Sequence, residues 1–258
     1  MKQEGKVKDQ RRAGIVERVH KDGKIYVTEL AKELEITPET LRRDLAELEE
    51  NRLVTRVHGG AIPYDGEDKE LVFEKKMNQN QLQKKRVAKE AASHIQSHMT
   101  IAVDIGTSTM YVADYLNAIS NLTVVTNSLA AAYKFNKAIE EGRIQADVIM
   151  LPGITNPYQS SVKGTYTTEF LKPFSFDLTL LSCGGVTEAA IYDFDAEESV
   201  VSRTMAEKGK KVILLADESK LDHRRNMQIC QTDILDLLIC DCDQPEDWQD
   251  FPAQWQHV

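Results

Sequence analysis

From residue 100 onward the chain carries six short runs of β-branched and apolar residues, at 100–104, 122–126, 148–151, 178–181, 212–215 and 237–240. Strands with one wet face alternate apolar and polar residues, whereas these runs are almost continuously apolar, which implies burial on both faces. Residues spaced for helices fill several of the gaps, at 84–98, 109–119, 129–139 and 197–208. Strands of that kind alternating with helices imply an α/β architecture whose sheet is mainly parallel and covered on both sides. No internal repeat or low-complexity tract interrupts the pattern.

The first 62 residues follow a different rhythm. Arg12, Ile15, Val16 and Val19 fall at i, i+3, i+4 and i+7, and Asp22-Gly23 ends the run. Leu30, Ala31 and Leu34 repeat the helical spacing, and Ile36-Thr37-Pro38 interrupts it. Thr37 reads as an N-cap with Pro38 at the first helical position, where a missing N–H costs nothing. In the third helix Leu41, Leu45 and Leu48 form an apolar face, leaving Thr40, Arg43 and Glu47 on another with Arg42 beside them. Residues 52–61 alternate around Gly59-Gly60 as a hairpin would. Three helices followed by a hairpin describe a winged helix-turn-helix, whose last helix enters the major groove of DNA.

Charge restricts where such contact can occur. The chain of 258 residues has a net charge of −9, but residues 1–63 hold 13 Lys+Arg against 12 Asp+Glu, a net of +1, and the remainder holds 19 against 29, a net of −10. Attraction to a polyanion is therefore confined to the N-terminal piece. Arg42 and Arg43 can donate bidentate hydrogen bonds to guanine or to phosphates, Thr40 can touch a base, and Arg56 and His58 can reach phosphates or the minor groove. The alternative is a solvated helix face on which the arginines pair with Asp44 and Glu47.

The segments Val27-Thr28-Glu29-Leu30-Ala31, Thr40-Leu41-Arg42-Arg43-Asp44-Leu45 and Arg56-Val57-His58-Gly59-Gly60-Ala61 resemble, in order and spacing, the signature of the DeoR family of bacterial repressors. The resemblance continues through Asp104-Ile105-Gly106-Thr107-Ser108-Thr109, Thr126-Asn127-Ser128 and Asp217-Glu218-Ser219-Lys220, so it covers nearly the whole chain. It implies a winged helix-turn-helix over 1–62, a linker over 63–83, and over 84–258 a Rossmann-like domain similar in fold to ribose-5-phosphate isomerase that binds an effector and forms oligomers. It places Thr28, Thr37, Glu39, Thr40, Arg42, Arg43, Arg56, His58 and Gly59 toward double-stranded operator DNA. The effector it implies is a phosphorylated sugar, with no cofactor and no metal. This chain departs from the family pattern at Ser202-Arg203, where relatives commonly have a basic residue shortly before Met205, and at Ala189-Ala190, where one position is often Gly.

The residues themselves also support an anion site. Asp104 to Thr109 lies where a buried strand ends and a helix is expected, the place where open α/β sheets bind ligands. Gly106 permits close approach, and free N–H groups and the hydroxyls of Thr107, Ser108 and Thr109 suit a phosphate. A capped strand-to-helix turn explains the same residues. Asn127 and Ser128, Gly184 and Gly185, and Lys220 close three further strands, so polar groups converge on one sheet edge; Lys220 offers a charge to a phosphate, and Asn127 and Asp104 offer hydrogen bonds to hydroxyls. Glu198 resembles a carboxylate of the family and equally suits a helix N-terminus as a charge.

These features point to a cytoplasmic, sequence-specific transcriptional regulator, a repressor of a carbohydrate operon released by a sugar phosphate, acting as a dimer or tetramer. The alternative is a sugar-phosphate isomerase with a tethered DNA-binding module, in which Asp217 or Glu198 is the base and Lys220 the stabiliser; residues 184–188 lack the acidic run that such an enzyme would carry. Sequence leaves activator and repressor unseparated. The four cysteines read as reduced thiols, and His94 with His98 lacks a third metal ligand. Trp248 and Trp255 are expected to pack against the body or a partner subunit.

Overall fold

The computed structural model describes residues 2–34, 36–51, 53–57, 59–63 and 70–258, and contacts divide the chain into two units, Met1–Lys69 and Glu70–Val258. His58, expected to face DNA, lies outside the described residues.

In the first unit α1 (Lys2–Asp22), β1 (Ile25–Tyr26), α2 (Val27–Glu33) and α3 (Pro38–Glu50) precede β2 (Val54–Val57) and β3 (Gly60–Pro63). The expected apolar stripes meet in one core: Ile15 and Val19 of α1, Leu30 of α2, and Leu41, Leu45 and Leu48 of α3 are all buried with Val54. Thr37 caps α3 by accepting from Thr40 N at 3.2 Å, and Pro38 opens the helix. Asp44 is buried on α3 and receives Arg11 Nε at 2.7 Å and Arg12 Nε at 2.9 Å, fastening α1 to α3. The wing is a three-stranded antiparallel sheet ordered β1-β3-β2. A Cβ at Gly60 would lie 1.8 Å from Ile25 O, so this strand pairing needs glycine.

The second unit opens with α4 (Phe73–Asn78), α5 (Gln81–Ser93), β4 (Thr100–Val103), a 3-10 helix (Thr109–Tyr115), β5 (Ile119–Thr126), α6 (Leu129–Glu140) and β6 (Ile144–Met150). A ribbon follows, β7 (Ile154–Asn156) with β8 (Ser161–Lys163), then α7 (Thr165–Leu171), β9 (Leu178–Leu181), β10 (Gly185–Val186), β11 (Ala190–Asp193) and α8 (Ala196–Lys208). The chain ends with β12 (Val212–Leu215), β13 (Met227–Gln231), β14 (Leu237–Cys240) and β15 (Gln254–His257), and short 3-10 turns occupy Glu218–Lys220 and Thr232–Ile234. Seven strands form a wholly parallel sheet ordered β15-β14-β12-β9-β4-β5-β6. All six expected apolar runs fall on it, and every residue of β9, β12 and β14 is buried. Alternation sends Ile101 and Val103 to one core with Val87, Ala91 and Phe135, and Ala102 to another with Val201 and Met205. Beside the large sheet stands a small antiparallel one, β10-β11-β13.

Two expectations are corrected. Residues 109–119 do not form an α-helix: Thr109 to Ala113 are all buried, so no polar face exists, and Thr109 Oγ1 donates to Asp104 O and Gly106 O, which holds the turn tight. Of the span 63–83 assigned to a linker, residues 70–83 belong to the second unit, where Phe73 is buried and its N–H bonds Tyr158 O at 2.7 Å. Trp248 packs against the body, one of the two arrangements expected for it, in edge contact with Trp255, and its indole donates to Asp222.

Candidate functional site

On the first unit a concave surface is lined by Tyr26, Val27, Thr28, Arg42, Arg56 and Gly59. Helix α3 supplies Arg42, the wing supplies Arg56 and Gly59, and the turn into α2 supplies Thr28. The side chains of Arg42 and Arg43 are 59% and 79% exposed, and their acid neighbour is Glu39, at 3.5 and 3.8 Å. The alternative pairing of the arginines with Asp44 fails because Asp44 is committed to Arg11 and Arg12 inside the unit. Arg56 is braced against α3 by Glu49, which accepts from its backbone N–H and pairs with its guanidinium at 3.1 Å. Thr37 and Thr40 share a hydroxyl hydrogen bond at 2.8 Å. The exposed cations thus lie on the helix and wing that meet DNA in a winged module.

On the second unit a cleft of about 30 Å³ lies at the carboxyl ends of β4, β9 and β12. Gly106, Thr107, Ser108, Gly184 and Lys220 line it, with Glu70, Lys76, Lys84, Asp193, Phe194 and Asp217. Gly106 belongs there for steric reasons, since a Cβ would sit 2.4 Å from Ser182 Oγ. Arg225 steadies the opposite rim by donating to Gly184 O at 3.0 Å and lying over the Phe194 ring. Asp217 accepts from Asn80 Nδ2 at 2.9 Å and from Ser219 N at 3.1 Å, which fixes the turn carrying Lys220. Lys84 is buried, and its ammonium donates to Lys76 O at 2.5 Å. Burial lowers its pKa to about 8 against the pull of Asp217, and Lys220 and Lys76 lower it further. Burial also raises the carboxyl pKa values of Glu70 and Asp193. Three lysines and three carboxyl groups therefore share a poorly hydrated space beside the N–H groups of 106–108, which an anion can occupy.

The same unit holds a second, buried polar cluster, whose Glu198 is coupled electrostatically to Glu70 of the cleft. Glu198 is buried on α8, and its Oε1 accepts from Asn156 Nδ2 at 3.0 Å and from Ser161 Oγ. Its Oε2 has no hydrogen-bond partner among the described residues, and neither amide atom of buried Asn127 has one. The ribbon ties the two together, because Val162 N donates to Asn127 O while the adjacent Ser161 holds Glu198. Burial raises the Glu198 pKa, and the charges of Glu70 and Asp195 raise it further, as Glu198 in turn does for Asp193. Asp104 is buried at the end of β4, where it accepts from Ser202 Oγ at 2.9 Å and Ser182 N at 3.3 Å. Burial pushes its pKa to about 8 even so. Among the described residues no three His, Cys, Asp or Glu side chains gather as metal ligands.

The model of the DeoR-like helix-turn-helix domain matches residues 11–65, and that of the DeoR C terminal sensor domain matches residues 79–242. The chain belongs to the DeoR family. It is 46% identical over 208 residues to an HTH-type transcriptional regulator of Staphylococcus epidermidis, covering 81% of this chain and 82% of the relative. It is also 30% identical to the glycerol-3-phosphate regulon repressor of Escherichia coli, covering 92% of each. Among solved structures, ribose 5-phosphate isomerase from Plasmodium falciparum aligns with 54% of this chain and 52% of its own, at 19% identity and a TM-score of 0.38.

Within this DeoR regulator the residues singled out by sequence divide into groups. Gly106, Thr107, Ser108, Gly184 and Lys220 come together on the cleft. Asp104, Asn127 and Glu198 sit in the buried polar cluster and its neighbourhood instead of on the cleft wall. Thr109 holds the 3-10 turn, Ser128 caps α6 by accepting from Ala131 N at 3.1 Å, and Gly185 packs where a Cβ would lie 2.1 Å from His223 O. Ser202 and Arg203, where the chain departs from the family pattern, bind Asp104 and the carbonyl groups of Gln228 and Ile229. Sequence reading missed Lys84, Glu70, Lys76 and Asp193. Lys84 left a signal, since it shares with Val87, Ala88 and Ala91 the i, i+3, i+4, i+7 face of α5 that is buried.

Proposed function

We propose that this DeoR-family transcriptional regulator is a repressor of a carbohydrate-utilisation operon that leaves its operator when a phosphorylated sugar enters the second unit. The observation that carries this reading is the cleft, where a glycine-opened loop with two hydroxyls faces Lys84 and Lys220 at the strand ends. The phosphate sits on the N–H groups of 106–108 and those two ammonium groups, and the hydroxyls of the ligand reach the unpartnered groups of Asn127 and Glu198. With about 30 Å³ free, the cleft has room for little more than water, so a sugar phosphate enters only if part of its wall moves. Arg42, Arg43, Arg56 and Thr28 read or anchor DNA. Ligand and operator favour different arrangements of the chain, so each weakens the other by the same factor. No turnover is assigned to the cleft, no cofactor is needed, and the protein acts in the cytoplasm; no described helix is long and apolar enough to cross a membrane.

Fluorescence anisotropy on DNA from upstream of the protein's own gene, at fixed salt, tests the reading with sugar phosphates, glycerol 3-phosphate and the unphosphorylated sugars. Tight binding released by one phosphate ester is expected. Absence of binding at every salt concentration would overturn the repressor reading, and turnover of ribose 5-phosphate would replace it with an isomerase.

A further inference from the structure

Two thiols meet at the carboxyl end of β14. Cys240 is the last residue of that strand, and the chain bends at Asp241 and Cys242. In a straight strand, side chains two residues apart stand parallel and about 6.6 Å from each other, too far for their sulfurs to meet. Here the bend sets the two sulfurs 3.4 Å apart. Four contacts hold it. Asp241 Oδ1 accepts from Glu218 N at 2.8 Å, and its other oxygen lies 3.8 Å from Arg86. Asp243 meets His257 at 2.8 Å, and Cys242 O accepts from Trp255 Nε1 at 2.9 Å. The acids thus engage polar partners while Cys240 and Cys242 join the apolar cluster of Leu214, Leu238 and Trp248. Cys240 is buried and Cys242 half-buried, so an oxidant meets Cys242 first. The other two cysteines stand on separate elements, Cys183 just after β9 and Cys230 on β13.

We propose that Cys240 and Cys242 are a dithiol that hydrogen peroxide converts to an intramolecular disulfide, and that Asp241 carries the change to the turn holding Lys220. The Cys242 sulfur, having given up its proton, attacks one peroxide oxygen; the O–O bond breaks, Cys242 becomes a sulfenic acid and the other oxygen leaves as water. The Cys240 sulfur then attacks the sulfenic sulfur, the S–S bond forms, and the hydroxyl leaves with the Cys240 proton as a second water. Two thiols are oxidised by two electrons and one peroxide is reduced to two waters. Burial raises both thiol pKa values, and the hydrogen bond from Cys240 works against it at Cys242. Cys242 is therefore the attacking sulfur, and burial keeps the reaction slow.

A bond of about 2.05 Å requires the sulfurs to close by about 1.4 Å. Cys240 is not free to supply that movement, since β14 lies between β12 and β15, Cys240 pairs with His257 there, and its carbonyl accepts from Val258 N at 2.9 Å. Cys242 moves instead. Asp241, the residue between, moves with it and draws its carboxylate from Glu218 N. Glu218 opens the 3-10 turn that carries Lys220 to the cleft.

Peptide mapping by mass spectrometry on the full chain, after peroxide and blocking of the remaining thiols, tests the proposal. No DNA or sugar phosphate is present, so its failure is separate from failure of the repressor reading. The peptide holding Cys240 and Cys242 is expected two hydrogen atoms lighter, and dithiothreitol restores them. Trp255, one of two tryptophans, reports on the same event: its emission falls on oxidation, recovers on reduction and stays constant in Cys242→Ser. Hydrogen exchange across residues 216–220 is expected to quicken about twofold or more in the oxidised chain. Oxygen added to Cys242 with no hydrogen lost, the same hydrogen loss in Cys242→Ser, or a disulfide through Cys183 or Cys230 would each overturn the disulfide. Unchanged exchange beside a formed disulfide would overturn its reach to Lys220. The wild-type map decides the first part even if Cys242→Ser fails to fold.

Discussion

Arg42 and Arg43 in the first unit keep most of their side chains in solvent and meet Glu39 at 3.5 Å or more, whereas Lys84 in the second is 4% exposed and donates to one carbonyl at 2.5 Å. The difference matches what each cation is proposed to recognise. A solvated guanidinium is always charged and costs nothing to hold, so its attraction to DNA is set by counterion release and salt. A desolvated ammonium with its pKa near 8 is held at a cost, which an incoming dianion relieves. On the proposed reading the first unit is expected to respond to ionic strength and the second to pH.

The most damaging test of this contrast is Lys84→Met, which removes a charge-assisted contact of about 1.5–3 kcal/mol and so weakens sugar-phosphate binding roughly 10- to 100-fold while operator affinity stays constant. Calorimetry would detect it, and in the wild type affinity should fall as pH rises above 8, because deprotonated Lys84 must first regain its proton. Arg43→Ala should weaken operator binding by roughly 1–3 kcal/mol if the residue reads a base, and anisotropy with mismatched operators would register the loss at one base position; unchanged affinity would return Arg43 to a solvated helix face. Asp104 sharpens the pH side of the comparison. It holds its proton up to about pH 8 when folded but only to about pH 4 when unfolded, so stability is fullest below pH 4 on this account and is lost as pH rises toward 8. Wild-type thermal unfolding should drop by roughly 10 °C between pH 5 and pH 8, and Asp104→Asn should flatten that slope; a slope left intact would mean the carboxyl is hydrated. Glu39→Gln is the smallest test, with operator affinity rising about twofold at low salt and not at high salt.

The strands of the large sheet were readable because their residues carry one message: β-branched, apolar and bounded by turns. Thr37-Pro38 marked the start of α3 just as plainly. The 3-10 turn at Thr109–Tyr115 was misread because TMYVADY is apolar enough for a helix, and only the bonds from Thr109 back to Asp104 and Gly106 reveal the tighter winding. Strands β7 and β8 have three residues each, too few for a period to register. In the candidate site the loop at 106–108 announced itself through glycine and hydroxyls. Glu70, Lys76 and Asp193 did not, because a charged residue in a polar stretch looks the same whether it faces water or a cleft. Their proximity is created by long-range packing.

The segment 70–80 is held to the second unit by Phe73 N on Tyr158 O, Lys84 on Lys76 O and Asn80 on Asp217, and it places Glu70 and Lys76 on the cleft. Anyone building a biosensor by grafting this effector module onto another DNA-binding head therefore has a narrow choice of splice point. A junction at the start of the matched sensor domain, residue 79, would discard part of the cleft wall along with its ammonium-accepting carbonyl. A junction before Glu70 keeps the second unit and its cleft whole.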